Sequence, residues 1–238
     1  ISSPSSIITR SYTTANLTSA DGVCISGKYA YVTSLDNDKL CIYDVTNPDS
    51  IVARGTAYAA YPYNLYVSGK YAYVVNSNSL SIFDISDPDA IVTKAASSVN
   101  LNLACSVYVS GKYAYVSSMN NSRLCIFDIS NPTSIVTRGY TTTNLTNPYD
   151  VYVSGRYAYV ANKGNHRLCV FDVSDPDSIV AKSFVTTNLN EPIGVYVSGK
   201  YAYVVNDSGD SLAIFSLTST DTPTFNAGAA SIGSLQVY

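Results

Sequence analysis

Short, nearly all-apolar runs alternate with polar clusters along this chain, and the alternation itself repeats. The segment Ser-Gly-Lys/Arg-Tyr-Ala-Tyr-Val begins at Ser26, Ser68, Ser110, Ser154 and Ser198, at intervals of 42, 42, 44 and 44 residues. A period of that length is the size of one four-stranded propeller blade. The third copy divides most plainly. Residues 107–110 read as a short strand, Gly111-Lys112 as a tight turn and residues 113–117 as a second strand. A polar loop at 118–122 leads to a third strand at 124–129, and a turn at 130–133 leads to a fourth at 135–141. The second and third strands are almost continuously apolar, the pattern of strands covered on both faces, as when blades stack around an axis.

The ends of the chain extend this reading. Residues 1–14 match residues 129–142 without a gap, so the chain begins inside a unit, with a turn and an outer strand. The expected fold is therefore all-β, a five-bladed β-propeller over residues 1–217 with repeats starting near 22, 64, 106, 150 and 194. Residues 1–14 are expected to supply the missing outer strand of the last blade, leaving 218–238 as a C-terminal tail or strand. The tail ends in Ser234-Leu-Gln-Val-Tyr238, similar to the third strand Ser211-Leu-Ala-Ile-Phe215. An alternative follows: strand addition between copies, with the chain a structural subunit of a head-to-tail fibre.

Composition narrows the partners. Only 13% of the 238 residues are charged, the net charge is −3, and Lys and Arg do not cluster. Counterion release has nothing to act on, which excludes nucleic acid and anionic membrane surfaces. No apolar run is long enough to span a bilayer, so no membrane insertion is expected. The start at Ile1 without Met is read as either a removed targeting segment, a hint of export, or a piece of a longer protein. Five cysteines without C-x-x-C spacing predict neither a disulfide framework nor a zinc site. Cys41, Cys125 and Cys169 share a repeat position that Ser81 and Ala213 fill elsewhere, which marks a small buried packing site.

Candidate chemistry is sparse. Asp44, Asp84, Asp128 and Asp172 follow the third strand, with Asp87, Asp89, Asp175 and Asp177 in the next turn. The spacing suits calcium in outline. Asn131, Thr133 and Ser216 stand at matching places, so turn formation is the reading taken, with no metal and no cofactor. The paired tyrosines of each second strand, Tyr29 and Tyr31 in the first, are expected to pack between blades. His166 is the only histidine, expected to be exposed in a loop, and neither a Ser-His-Asp order nor a Gly-x-Ser-x-Gly elbow occurs. No catalytic residue is assigned and a non-enzymatic role is expected, a cryptic glycosidase-like carboxylate pair being the enzymatic alternative.

The unit Val-Tyr-Val-Ser-Gly-Lys-Tyr-Ala-Tyr-Val, followed by Leu-x-Ile-Phe-Asp-Ile-Ser-Asp-Pro, resembles the LVIVD repeat, five times over residues 1–217. That resemblance implies a propeller of a bacterial or archaeal cell surface and brings no common catalytic residues. Because strand direction alternates, the Ser-Gly-Lys and Asp-Pro turns are expected on one face of the array. The loops after each second strand and between units fall on the other, and only these differ from copy to copy. They carry Tyr58, Tyr61, Tyr63, Tyr149 and Asp150, with Cys105 at the matching place in the third unit. Tyr61, Tyr63, Tyr149 and Asp150 are the candidate ligand contacts, for a protein or a glycan. The sequons at Asn16, Asn120, Asn144 and Asn206 are candidate glycosylation sites on the same face. The expected function is an extracellular or cell-surface interaction module.

Overall fold

The computed structural model describes residues 8–218 and a strand at 224–228. Each repeat is an antiparallel meander of four strands, here called a blade. Blade 1 holds β1 (Ala20–Ser26), β2 (Tyr29–Ser34), β3 (Lys39–Asp44) and β4 (Val52–Tyr58). Blade 2 holds β5 (Pro62–Ser68), β6 (Tyr71–Asn76), β7 (Leu80–Asp84) and β8 (Val92–Ser97). Blade 3 holds β9 (Ala104–Ser110), β10 (Tyr113–Ser118), β11 (Arg123–Asp128) and β12 (Val136–Thr141). Blade 4 holds β13 (Pro148–Ser154), β14 (Tyr157–Asn162), β15 (Arg167–Asp172) and β16 (Val180–Val185). Blade 5 has three strands of the repeat, β17 (Pro192–Ser198), β18 (Tyr201–Asn206) and β19 (Ser211–Thr218), and a fourth from the tail, β20 (Thr224–Gly228).

Local chemistry sets the meander. Gly27 and its four counterparts hold φ between +56° and +59°, which lets a two-residue turn join the first two strands of each blade. Asp44, Asp84, Asp128 and Asp172 accept hydrogen bonds through Oδ1 from the backbone N–H and hydroxyl two residues on, closing the turn after the third strand in blades 1 to 4. The turn reading of these aspartates is the geometry found.

The pleat then divides each inner strand between two faces of the blade. In blade 3, Tyr115, Leu124 and Ile126 point toward blade 4, while Val116, Cys125 and Phe127 point toward blade 2. Four cores result, each built from Tyr, Leu and Ile or Val of one blade and from Val, Ala and an aromatic of the next. Tyr31, Tyr73, Tyr115 and Tyr159 are buried there as expected, whereas Tyr203, with no following blade against it among the described residues, is only half-buried. Their partners Tyr29, Tyr71, Tyr113, Tyr157 and Tyr201 are half-buried instead, each under a Lys or Arg from the preceding turn at 5.1 to 5.5 Å. The glycine turn places that cation over the ring face.

Outer strands latch blade 1 to blade 2 and blade 3 to blade 4. Arg54 pairs with Asp89 and Arg138 with Asp177, and the Gly55 N–H donates to the Pro88 carbonyl at 2.8 Å. A Cβ on Gly139 would lie 2.6 Å from the Pro176 carbonyl oxygen. Gly139→Ala is therefore expected to push blades 3 and 4 apart and cost about 1–3 kcal/mol, read as a lower urea midpoint. An unchanged midpoint would contradict the close approach.

The ends differ from the sequence expectation. Residues 8–14 form no strand. Arg10 pairs with Asp49 at 2.6 Å and the Ser11 hydroxyl donates to the Pro48 carbonyl at 2.7 Å, the latch by which β4 holds blade 2. This segment therefore lies against the turn before β4 without pairing as a strand, while β20 takes the open edge of β19, pairing from Ile214–Gly228 to Thr218–Thr224. Among the described residues the N-terminal segment does not complete the last blade, and residues 1–7 of that expectation lie outside them. The innermost strands β1, β5, β9, β13 and β17 pack in succession, but β17 does not pack on β1 in that way.

Candidate ligand-binding face

Backbone hydrogen bonds separate two faces. On one, Val45, Ile85, Ile129, Val173 and Leu217 each donate N–H to the carbonyl of the Lys or Arg in the glycine turn, at 2.7 to 2.9 Å. This latch is the same in every blade. On the other face the loops after the second strands are tied to the connections between blades: Leu35 to Ser19, Met119 to Leu103, Lys163 to Asn147 and Asp207 to Glu191, at 2.8 to 3.1 Å. The division into a repeated and a varied face holds.

The connecting residues Ser19, Tyr61, Leu103, Asn147 and Glu191 occupy one repeat position, and all have φ between +47° and +57°. Tyr61 is thereby turned outward, 58% exposed, its N–H donating to the Asp38 carboxylate at 2.7 Å. A left-handed tyrosine is a strained choice that the surrounding hydrogen bonds must hold. His166 is exposed in the loop between β14 and β15, and its Nδ1 accepts the Glu191 N–H at 2.9 Å.

The second residues of the inner strands gather beside these loops. Asp21, Tyr63, Cys105 and Tyr149 occupy equivalent places, and burial is the main cause raising the pKa of each. Cys105 is pushed up to about 12, with Asp21 and Asp150 adding to the burial effect. Such a thiol is a packing group, not a nucleophile. The structure thus brings Tyr63 and Tyr149 together with Asp21, which the sequence reading missed because the first unit departs there from tyrosine.

Asp150 stands one residue deeper. Its Oδ1 accepts from the Ser106 hydroxyl at 2.6 Å and the Val151 N–H at 2.9 Å, and its Oδ2 from the Val195 N–H at 2.8 Å. These donors come from blades 3, 4 and 5. Burial raises its pKa, and the three hydrogen bonds oppose that rise. As a ligand contact Asp150 is thus corrected: its oxygens serve protein donors, and it positions the face.

Further along the inner strands, Tyr66, Tyr108, Tyr152 and Tyr196 form a ladder across four blades, with ring centroids 5.0, 4.7 and 5.0 Å apart. Cys24 stands at that position in blade 1. The repeated Val-Tyr-Val of the first strand was the available signal. Of the sequons, Asn16 and Asn120 are exposed and Asn144 half-buried. Asn206 is buried, its amide nitrogen bonded to the Ser211 hydroxyl at 3.0 Å and the Asn188 carbonyl at 3.3 Å. A glycan there would break both bonds, so this candidate is withdrawn.

Solved structures share the fold. A protein of unknown function from Desulfotomaculum acetoxidans is 15% identical with TM-score 0.76, the match covering 88% of this chain and 69% of that one. A protein from Lactobacillus plantarum is 13% identical with TM-score 0.78, covering 88% and 70%. The periplasmic gluconolactonase of Pseudomonas aeruginosa is 19% identical with TM-score 0.64, covering 74% and 55%. Among curated proteins none matches this sequence. The LVIVD repeat matches five times, at residues 18–56, 61–96, 103–143, 147–187 and 193–215, one match to each blade. With most of its length in those copies, the chain belongs to the LVIVD repeat family.

Proposed function

We propose that this protein is a non-enzymatic interaction module of a cell surface or extracellular space, and that it binds a protein or glycan on the varied face. The observation that carries this reading is the asymmetry between faces. One end repeats the same turn and latch five times, while the other sets Tyr58, Tyr61 and Tyr149 on non-identical loops held by backbone hydrogen bonds. Rigid scaffolds carry recognition on such loops, and tyrosine offers contact area at small entropic cost. Lys163, paired with Asp207 at 2.7 Å and Glu191 at 3.5 Å, adds polar groups to the rim. Binding is favoured over turnover because the carboxylate enclosed at this face is committed to three protein donors.

The test is a glycan array and a panel of purified surface proteins, probed with the wild-type chain and with a Tyr61→Ala, Tyr63→Ala, Tyr149→Ala variant. Specific binding that drops at least about tenfold in the variant, about 1.4 kcal/mol, with little change in Tm supports the reading. Undiminished binding would place recognition elsewhere.

A further inference from the structure

The innermost strands turn tyrosines of neighbouring blades toward one another, and the pleat explains how. In β9, Val107 and Val109 are buried in the junction with blade 2, so alternation sends Tyr108 to the opposite face, beside the core shared with blade 4. In β13, Val151 and Val153 enter that same core and Tyr152 turns toward blade 5. Strand pairing opposite Tyr115 and Tyr159, both buried, fixes the two backbones. The rings of Tyr108 and Tyr152 stand 4.7 Å apart between centroids with 53° between their planes, nearer than Tyr66 to Tyr108 or Tyr152 to Tyr196, each 5.0 Å. Their hydroxyls hydrogen-bond each other, and the chain of hydroxyls continues to Tyr66 on one side and Tyr196 on the other. Rings so close, with hydroxyls joined, bring the carbons beside the hydroxyls, the Cε atoms, near contact. Burial, with these hydrogen bonds added, raises the pKa of Tyr108, so the phenol and its hydrogen bonds persist above neutrality. Phenylalanine would pack as well at these places, and the hydroxyls add a chemistry that packing does not need.

We propose that Tyr108 and Tyr152 are a site of oxidative modification, joined as dityrosine by hydrogen peroxide with a peroxidase as the one-electron catalyst. Each phenol gives up one electron and its hydroxyl proton, and the hydroxyl chain is the path along which that proton leaves. The two phenoxyl radicals form one carbon–carbon bond between Cε atoms. The ring hydrogen displaced at each of those carbons moves to the phenol oxygen, which restores two phenols. Peroxide takes up the two electrons and two protons and is reduced to two molecules of water. Both tyrosines are half-buried, which leaves them within reach of oxidation while their rings stay held in place. The product ties blades 3 and 4 at their inner edges, between residues one repeat apart, as a disulfide closes a loop. The inference stands apart from ligand binding on the loops.

The experiment treats the dilute full chain with hydrogen peroxide and a haem peroxidase, and takes the fraction that stays monomeric. Trypsin should then release residues 95–112 joined to residues 139–156, lighter than the two peptides together by two hydrogen atoms and carrying dityrosine fluorescence. The first peptide holds Tyr108 as its only tyrosine, and the second holds Tyr140, Tyr149 and Tyr152. The joined pair should be at least about tenfold more abundant than in a chain unfolded in urea before treatment, because held geometry is what favours it. Tyr108→Phe and Tyr152→Phe keep a ring in place and should each abolish it, so a misfolded variant leaves the other to decide. Tyr140→Phe and Tyr149→Phe should leave it intact. A folded wild type that yields no such pair overturns the proposal. A pair that survives Tyr152→Phe, or that forms equally in the unfolded chain, does the same.

Discussion

Phe127→Ala is expected to lower the unfolding free energy by about 3–5 kcal/mol, the usual cost of emptying a core aromatic site. Phe127 has no exposed surface and lies in the junction between blades 2 and 3, against residues of both. Its neighbours are held by strand pairing on either side, with Ala114 opposite Phe127 in the register, so the cavity cannot collapse without moving a backbone. Urea unfolding with tryptophan-free detection, by far-UV circular dichroism, measures it. A loss below about 1 kcal/mol would mean that the blades are not close-packed at this junction. Because a blade array can lose cooperativity, an unchanged slope of the transition is part of the expected result.

Asp150→Ala is expected to cost about 2–4 kcal/mol, because Ser106 Oγ and the N–H groups of Val151 and Val195 lose their acceptor together. A pH series with Asp150→Asn separates charge from shape. Burial raises the folded-state pKa of Asp150 above its unfolded value, so the folded protein holds this proton more tightly. As pH rises through that window the unfolded chain ionises first, and the wild type loses the stability that protonation gave. The asparagine variant lacks this loss, and the wild-type advantage over it should shrink from pH 4 toward neutrality. An advantage that grows with pH would show instead that the hydrogen bonds overcome the burial. Asp172 moves the other way. Its carboxylate pairs with Arg156 and Lys182 and accepts from Ser174, which holds its pKa well below the ordinary range. Its contribution is present above the unfolded carboxylate pKa and is lost on acidification below it.

The candidate site was legible in part, and particular residues show why. Tyr61 could be placed on an exposed loop because its connection is polar and lies outside the strand pattern. Asp150 looked the same in sequence, yet its partners Ser106 and Val195 lie 44 and 45 residues away, in other blades. Asn206 satisfied the sequon rule, but the polar position ending β18 points inward and bonds across the loop. Asp21 went unread because the repeat offered tyrosine at two of its counterparts.

By itself the sequence determined the blade: its period, its four strands, the glycine turns and the aspartate turns. Each depends on alternation or on backbone angles within a few residues, which every copy encodes afresh. Tertiary structure alone decided what a given copy of a position does. Val23 and Val107 are the same amino acid at the same place in the repeat, one open to solvent and one buried. The difference is the presence of a neighbouring blade, and burial is a property of two surfaces, of which a repeat specifies only its own.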